Sequence, residues 1–254
     1  MSGGESLTPA RVEVCEDVAK RVAALVSSAA EEAIKSKGAF SIAIAGGSLV
    51  KMLGAMAGSQ GVEWEKWHVA WVDERCVSHA DAESNYGGAK DAWLSKVNIP
   101  ADQIHPISES ACSSLEGRPR AEAAADEYCQ QLRSIPEAAL PRSTGGLPEF
   151  DLLLLGFGPD GHICSLFPGH ALLSDATGRW ALPIWDSPKP PPERISLSLP
   201  VVQAASRVML VGTGDGKKQI VQQALAESDD GGLPCAMARA RDGTVTWVLD
   251  DPAS

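Results

Sequence analysis

The segment Gly156-Phe157-Gly158-Pro159-Asp160-Gly161-His162 sets a histidine and an aspartate two residues apart among three glycines, directly after an apolar run. A histidine with carboxylate support is suited to moving protons near neutral pH, because its free pKa of about 6.5 stays in that range under small perturbations. The loop continues through Cys164, Ser165 and Phe167 to Pro168, Gly169 and His170. His162, Cys164 and His170 match no zinc spacing, so no metal is expected, and nothing around Cys164 marks an activated thiolate. Gly156, Gly158 and Gly161 also spell GxGxxG, but that fingerprint needs a long helix behind it and an acid at the tip of the next strand. Pro168 and Gly169 break the chain within two turns, so a dinucleotide is not expected.

Three further segments carry groups for binding an anion. In Ala45-Gly46-Gly47-Ser48 two glycines let backbone approach a ligand, and the following helix points free N–H groups at the turn. The same segment also reads as a plain glycine turn with Ser48 as a helix N-cap. Asp73-Glu74-Arg75-Cys76-Val77, with Ser84-Asn85 beyond it, places charges at a strand end where they need partners; a structural ion pair and a binding role both satisfy that need. The fourth region combines Arg194-Ile195-Ser196-Leu197-Ser198 with Gly214-Asp215-Gly216-Lys217. The latter is not a triphosphate-binding loop, because its glycine spacing is short and Lys218 stands where a hydroxyl would hold magnesium. It leaves a lysine on a glycine turn at a helix start, suited to a monophosphate or simply solvated.

These segments follow predicted strands. From Glu16 to Lys37, Val18, Val22, Leu25, Ala29 and Ala33 recur at helical spacing, with Gly38 as the stop, while Val12 and Val14 leave open a short strand before it. Strands are predicted at Phe40–Ala45, Val69–Val72, Ile104–Ile107, Asp151–Leu155, Val208–Val211 and Thr244–Leu249. Helices are predicted from Leu49 to Met56 and over Tyr86–Val97, Ala121–Leu132 and Lys217–Ala226. This alternation predicts an α/β fold with a mostly parallel sheet, whose ligands sit beyond the carboxyl ends of the strands. The Gly/Pro-rich breaks at Arg142–Pro148, Asp186–Glu193 and Asp229–Pro234 read as loops rather than linkers, so a single domain over 1–254 is expected.

The 254 residues carry a formal charge of −11, and a negative field disfavours phosphate backbones and anionic membranes as partners. The longest apolar runs fall far short of the roughly 20 residues that span a bilayer. Six scattered cysteines without a CxxC pair read as reduced thiols, as in a cytoplasmic protein. With no apolar stripe left over once the sheet is covered, a monomer is expected.

Taken in chain order, the segments resemble the 6-phosphogluconolactonases: the Gly-Gly-Ser turn at Gly46–Ser48, DERxV at Asp73–Val77, Ser84-Asn85, LLGFGPDGHICSLFPG at Leu154–Gly169, RISLSLP at Arg194–Pro200 and GxxK at Gly214–Lys217. The resemblance spans most of the chain, and the long central motif is its most specific part. It implies a three-layer α/β/α sandwich around a Rossmann-like sheet, shared with glucosamine-6-phosphate deaminases, and hydrolysis of a sugar-phosphate lactone without a cofactor. It implies His162 as general base and then acid, with Asp160 orienting it or the substrate hydroxyls. Gly46, Gly47, Ser48, Arg194 and Lys217 would hold the 6-phosphate, and Arg75, positioned by Asp73, would bind phosphate or the sugar end. The chain departs from the family at Leu49 and Val50, where Thr and Pro are usual. The deaminases carry a glutamate in the stretch that reads Ser165-Leu166-Phe167-Pro168 here, which weighs against the deaminase alternative. A non-catalytic sugar-phosphate sensor is the other alternative.

Overall fold

The computed structural model describes residues 10–113, 115–226, 232–241 and 244–254. Its strands are β1 (Arg11–Val14), β2 (Phe40–Ile44), β3 (Trp67–Trp71), β4 (Asp73–Arg75), β5 (Ile104–His105), β6 (Leu152–Gly156), β7 (Ala181–Ile184), β8 (Arg194–Leu197), β9 (Arg207–Gly212) and β10 (Thr244–Leu249). Its helices are α1 (Val18–Lys37), α2 (Ser48–Gly54), α3 (Asn85–Ala92), α4 (Glu109–Ser113), α5 (Gly117–Ser134), α6 (Leu199–Ala204), α7 (Lys218–Ala226) and α8 (Pro234–Met237). Among the described residues no helix is long and apolar enough to cross a membrane.

Seven strands form one sheet in the order β1-β10-β9-β6-β2-β3-β5, and every neighbouring pair is parallel. Helices flank it, giving the α/β sandwich that the alternation implies. All five residues of β2 are buried, as are Leu152–Leu155 of β6, which is why both read as uninterrupted apolar runs. Helix α1 starts where the Asp17 carboxylate accepts the Lys20 N–H at 2.9 Å and ends at Gly38, whose φ of 83° is the left-handed stop. It begins two residues later than Glu16, because the residues ahead of it form β1, paired with β10. The predicted helix over Tyr86–Val97 stops at Ala92, since Trp93 leaves helical geometry and a short 3-10 turn follows at Leu94–Lys96.

The chain passes from β2 to β3 on one side and later returns through β6 to β9 on the other, so the sheet reverses direction between β2 and β6. That switch point opens a crevice at the carboxyl ends of the strands, where parallel sheets place their ligands. The Ala45–Ser48 turn follows β2 there, and the Gly-Asp-Gly-His loop follows β6.

A second sheet, antiparallel and in the order β4-β8-β7, was not foreseen. The Asp73-Glu74-Arg75 triplet, expected as a loop, is its strand β4, with Asp73 opposite Ser196, Glu74 opposite Ile195 and Arg75 opposite Arg194. The turn to β4 is held by long-range contacts: the Tyr128 hydroxyl, from α5, accepts the Trp71 N–H at 2.7 Å and donates to the Trp71 carbonyl at 2.8 Å. It satisfies backbone groups that two-residue β5 does not reach. Two of the three breaks, Arg142–Pro148 and Asp186–Glu193, lie outside helix and strand apart from an isolated bridge joining Arg142 to Pro148. The third falls partly on residues 229–231, outside the described residues.

Candidate active site

No helix follows β6. The chain instead folds back on itself: Gly158 donates to the His162 carbonyl at 2.9 Å and Gly161 to the Gly158 carbonyl at 3.0 Å, with Gly161 at φ 83°. This compact loop is why GxGxxG here is no dinucleotide fingerprint, and it brings the side chains of Asp160 and His162 together over Gly158. His162 Nδ1 lies 2.6 Å from Asp160 Oδ1. A separation that short from a carboxylate places a proton on Nδ1, which leaves Nε2 with its lone pair free to act as a base. The ring packs at 32° against Phe167, centroids 4.7 Å apart, which limits its rotation.

The electrostatics suit that state. Burial lowers the pKa of His162 most; Asp160 pulls it back up and Lys189 lowers it again, and the net shift is downward, so the ring is neutral near pH 7. Burial, the largest influence on Asp160, raises its pKa, but the His162 hydrogen bond and Lys189 outweigh it and bring the carboxyl to about 2. Asp160 is therefore an anion wherever the protein functions.

Lys189 is the member of this group that sequence reasoning missed. Its Nζ stands 3.2 Å from Asp160 Oδ2 and 3.2 Å from His162 Nδ1. It lies in the Pro-rich Asp186–Glu193 segment, which carries no periodicity and reads only as a break. Arg194 fixes that segment: Nε donates to the Pro191 carbonyl at 2.8 Å, and Nη2 donates to the carbonyls of Lys189 and Pro190 at 2.9 Å each. Nη1 reaches Ser165 Oγ at 3.4 Å. Arg194 is only 4% exposed, so its guanidinium acts as a buried clamp on the loop that carries Lys189 rather than as an open fork for an anion.

The DER triplet divides its charges among three partners. Asp73 does not hold Arg75: its carboxylate accepts the Ser165 hydroxyl at 2.7 Å, linking β4 to the His162 loop. Glu74 is buried and accepts N–H groups from Arg75 (2.8 Å), Asn85 (2.8 Å) and Tyr86 (2.7 Å), capping α3, while burial outweighs those bonds and raises its pKa to about 7. Arg75 Nη1 donates to the carbonyl and carboxylate of Glu83 at 2.7 and 2.9 Å, and its Nε is buried without a partner. Neither of the two readings of the triplet, an internal ion pair or a free binding group, describes Glu74, whose role is to start a helix.

Gly47, not Ser48, caps α2; its φ of 70° requires glycine, and Ser48 is the first helical residue, exposed at the turn. Gly46 is needed for another reason: the Asn85 side chain, which donates to the Asp73 carbonyl at 2.9 Å, occupies the space of a Cβ at that position. Lys217 ends a 3-10 turn ahead of α7, and its ammonium donates to the Phe157 carbonyl. Burial, then Lys189, lowers its pKa. Arg75 and Arg194 thus face each other across β4 and β8, and Lys217 joins them through Lys189 and the His162 loop.

Among the described residues no group of three His, Cys, Asp or Glu side chains is arranged to hold a metal ion. His170 instead reaches Asp186 at 3.2 Å. Cys164 holds a left-handed φ of 53° in the loop, and burial pushes its thiol far up, away from nucleophilic use.

Residues 14–247 match the family described as glucosamine-6-phosphate isomerases/6-phosphogluconolactonase. A probable 6-phosphogluconolactonase 3, chloroplastic, of Oryza sativa subsp. indica is 43% identical over 246 residues, 94% of this chain and 72% of the rice protein. The 6-phosphogluconolactonase of Rattus norvegicus is 39% identical over 245 residues, 94% of this chain and 89% of its own. Among solved structures, the 6-phosphogluconolactonase of Trypanosoma brucei superposes with a TM-score of 0.81 at 29% identity, covering 98% of both chains.

Proposed function

Since the chain belongs to the glucosamine-6-phosphate isomerase/6-phosphogluconolactonase family, we propose that it hydrolyses 6-phospho-D-glucono-1,5-lactone to 6-phosphogluconate, with His162 as the proton-transfer group. The observation that carries this reading is the neutral His162, proton fixed on Nδ1 by Asp160 and Nε2 available. Nε2 takes a proton from water as its oxygen attacks the lactone carbonyl. The tetrahedral intermediate then collapses, the acyl C–O bond breaks, and His162 returns the proton to the departing ring oxygen. Asp160 holds the ring through both steps and stabilises the imidazolium between them.

The 6-phosphate is assigned to the Gly46-Gly47-Ser48 turn with Lys217, and the sugar end to Arg75, whose unpartnered Nε supports a ligand role. Charge-assisted hydrogen bonds of this kind are worth about 1.5–3 kcal/mol each. Arg194 and Asp73 serve by holding the Lys189 segment and the His162 loop in place. Where the deaminases carry a glutamate, this chain sets Phe167 against the catalytic ring, which supports hydrolysis over deamination. The enzyme acts as a monomer in a reducing compartment such as the cytoplasm, a reading supported by its six free thiols and by scattered rather than clustered exposed apolar side chains.

A lactone hydrolysis assay at acidic pH, where the spontaneous background is slow, tests the reading beside an ammonia-release assay on glucosamine 6-phosphate. Lactone turnover without ammonia is the expected result. Ammonia release would make it a deaminase, and ligand binding without either product would make it a sensor.

Lys189 offers a signed test. Its positive charge lowers the His162 pKa, so Lys189→Met raises that pKa, and the acid limb of kcat/KM moves to higher pH. With the side chain 41% exposed, solvent screens the interaction and the displacement stays below about one pH unit. A pH–rate profile checks it; a limb that stays put or moves down contradicts the assignment.

A further inference from the structure

Cys76 follows β4 directly, and Cys112 sits on α4, a single turn of helix from a distant part of the chain. Their side chains touch, the Cys76 thiol donating a hydrogen bond to the Cys112 sulfur. Both line one cavity of about 610 Å³, together with Ser78, Glu109, Ser110 and Arg120. Arg120, paired with Glu193 at 2.7 Å, brings a positive charge to both sulfurs. We propose that Cys76 and Cys112 form a reversible disulfide when the protein meets a peroxide, Cys112 reacting first and Cys76 resolving it.

The order follows from the contact. The hydrogen bond from Cys76 holds the Cys112 thiol below its ordinary range, against burial and the nearby Glu74, and the same bond pushes Cys76 up. The thiolate is the nucleophile, so Cys112 attacks. Its sulfur displaces hydroxide from hydrogen peroxide, breaking the O–O bond; the hydroxide takes a proton and leaves as water, and Cys112 becomes a sulfenic acid. Cys76 sulfur then attacks that sulfur, the S–S bond forms, the S–O bond breaks, and the Cys76 proton departs with the hydroxyl as a second water. Two thiols are oxidised and one peroxide is reduced to two waters. The hydrogen-bonded sulfurs need only close to the roughly 2.05 Å of a disulfide. The other thiols lack this arrangement: Cys129 is bonded to the Ala181 backbone, Cys15 donates to the Leu249 carbonyl, and Cys164 is strongly held in its protonated form. None of this depends on which sugar phosphate the enzyme handles.

The full-length reduced protein, treated with equimolar hydrogen peroxide, alkylated and mapped by mass spectrometry, provides the test. The expected product is a peptide pair joined through Cys76 and Cys112 and lighter by two hydrogens. Free thiols fall from six to four, and dithiothreitol restores them. Cys76→Ser should accumulate a dimedone-reactive sulfenic acid at Cys112, and Cys112→Ser should slow the loss of Cys76 thiol at least about tenfold. Unlinked sulfinic acids at the two positions, faster oxidation elsewhere, or Cys76 oxidation at the unmodified rate in Cys112→Ser would overturn the proposal. The wild-type peptide map decides it even if a variant does not fold.

Discussion

His162→Ala is expected to lower kcat for lactone hydrolysis by about 10²–10⁴-fold while leaving KM within a few-fold of its original value. The split follows from the division of labour in the crevice. The phosphate-holding groups assigned here, the Gly46–Ser48 turn and Lys217, are fixed by α2 and by the Phe157 carbonyl, neither of which depends on the imidazole. The ring contributes only what changes during reaction: a lone pair on Nε2, then a proton. No neighbour replaces it, because Asp160 is held at a pKa of about 2 and is too weak a base, and Lys189 carries its full proton complement between Asp160 and the ring. The residual rate should lose the acid limb that titration of His162 imposes on the parent enzyme. Turnover above the spontaneous background and circular dichroism measured on the same sample separate lost chemistry from lost fold. Near-parental kcat, or a KM rise equal to the kcat fall, would remove His162 from the proton-transfer step.

How far such a site is legible in a sequence depends on the range over which its parts are held. The Gly-Asp-Gly-His loop is local: two backbone hydrogen bonds within seven residues close it, so Asp160 and His162 meet for reasons written in adjacent letters. The parallel strands are also legible, because burial on both faces of β2 and β6 leaves apolar runs that nothing else requires. Strand β4 is not, since three charged residues acquire strand geometry only from Arg194–Ser196, which lie some 120 positions onward. Lys189 is less legible still. Nothing near it in sequence aims it at His162; Arg194 does so by gripping three successive carbonyls of a proline-rich segment. The same fact explains why Arg194 is misread: an arginine after a loop has the chemistry of an anion clamp, but burial turns its donors inward. Residue type thus identified which groups carry charge, and tertiary contact decided which of them face the ligand.

Gly158→Ala is expected to cost about 10²-fold in kcat with almost no loss of stability. Gly158 does not use a left-handed backbone, so alanine meets no conformational penalty there. Its glycine is required instead by what lies above it: a Cβ would stand 2.1 Å from Asp160 Oδ1 and 2.1 Å from His162 Nδ1. Both side chains would have to leave, and the atoms displaced are the ones whose hydrogen bond sets the tautomer. A misplacement of about 1 Å at a reacting group already costs about 10²-fold. Nothing in the core moves with them, because Asp160 is 39% exposed on its side chain and swings toward solvent. The midpoint of thermal unfolding should therefore stay within about 2–4 °C of the parent, the change that about 1 kcal/mol produces in a domain of this size. Gly161, three residues on, makes the opposite demand: its φ is 83° and a Cβ would meet Leu233 at 2.9 Å, so there the glycine serves backbone and core. If Gly158→Ala kept its turnover, the Asp160–His162 bond would not be what prepares the base; if it unfolded, the loop would be holding the fold rather than the chemistry.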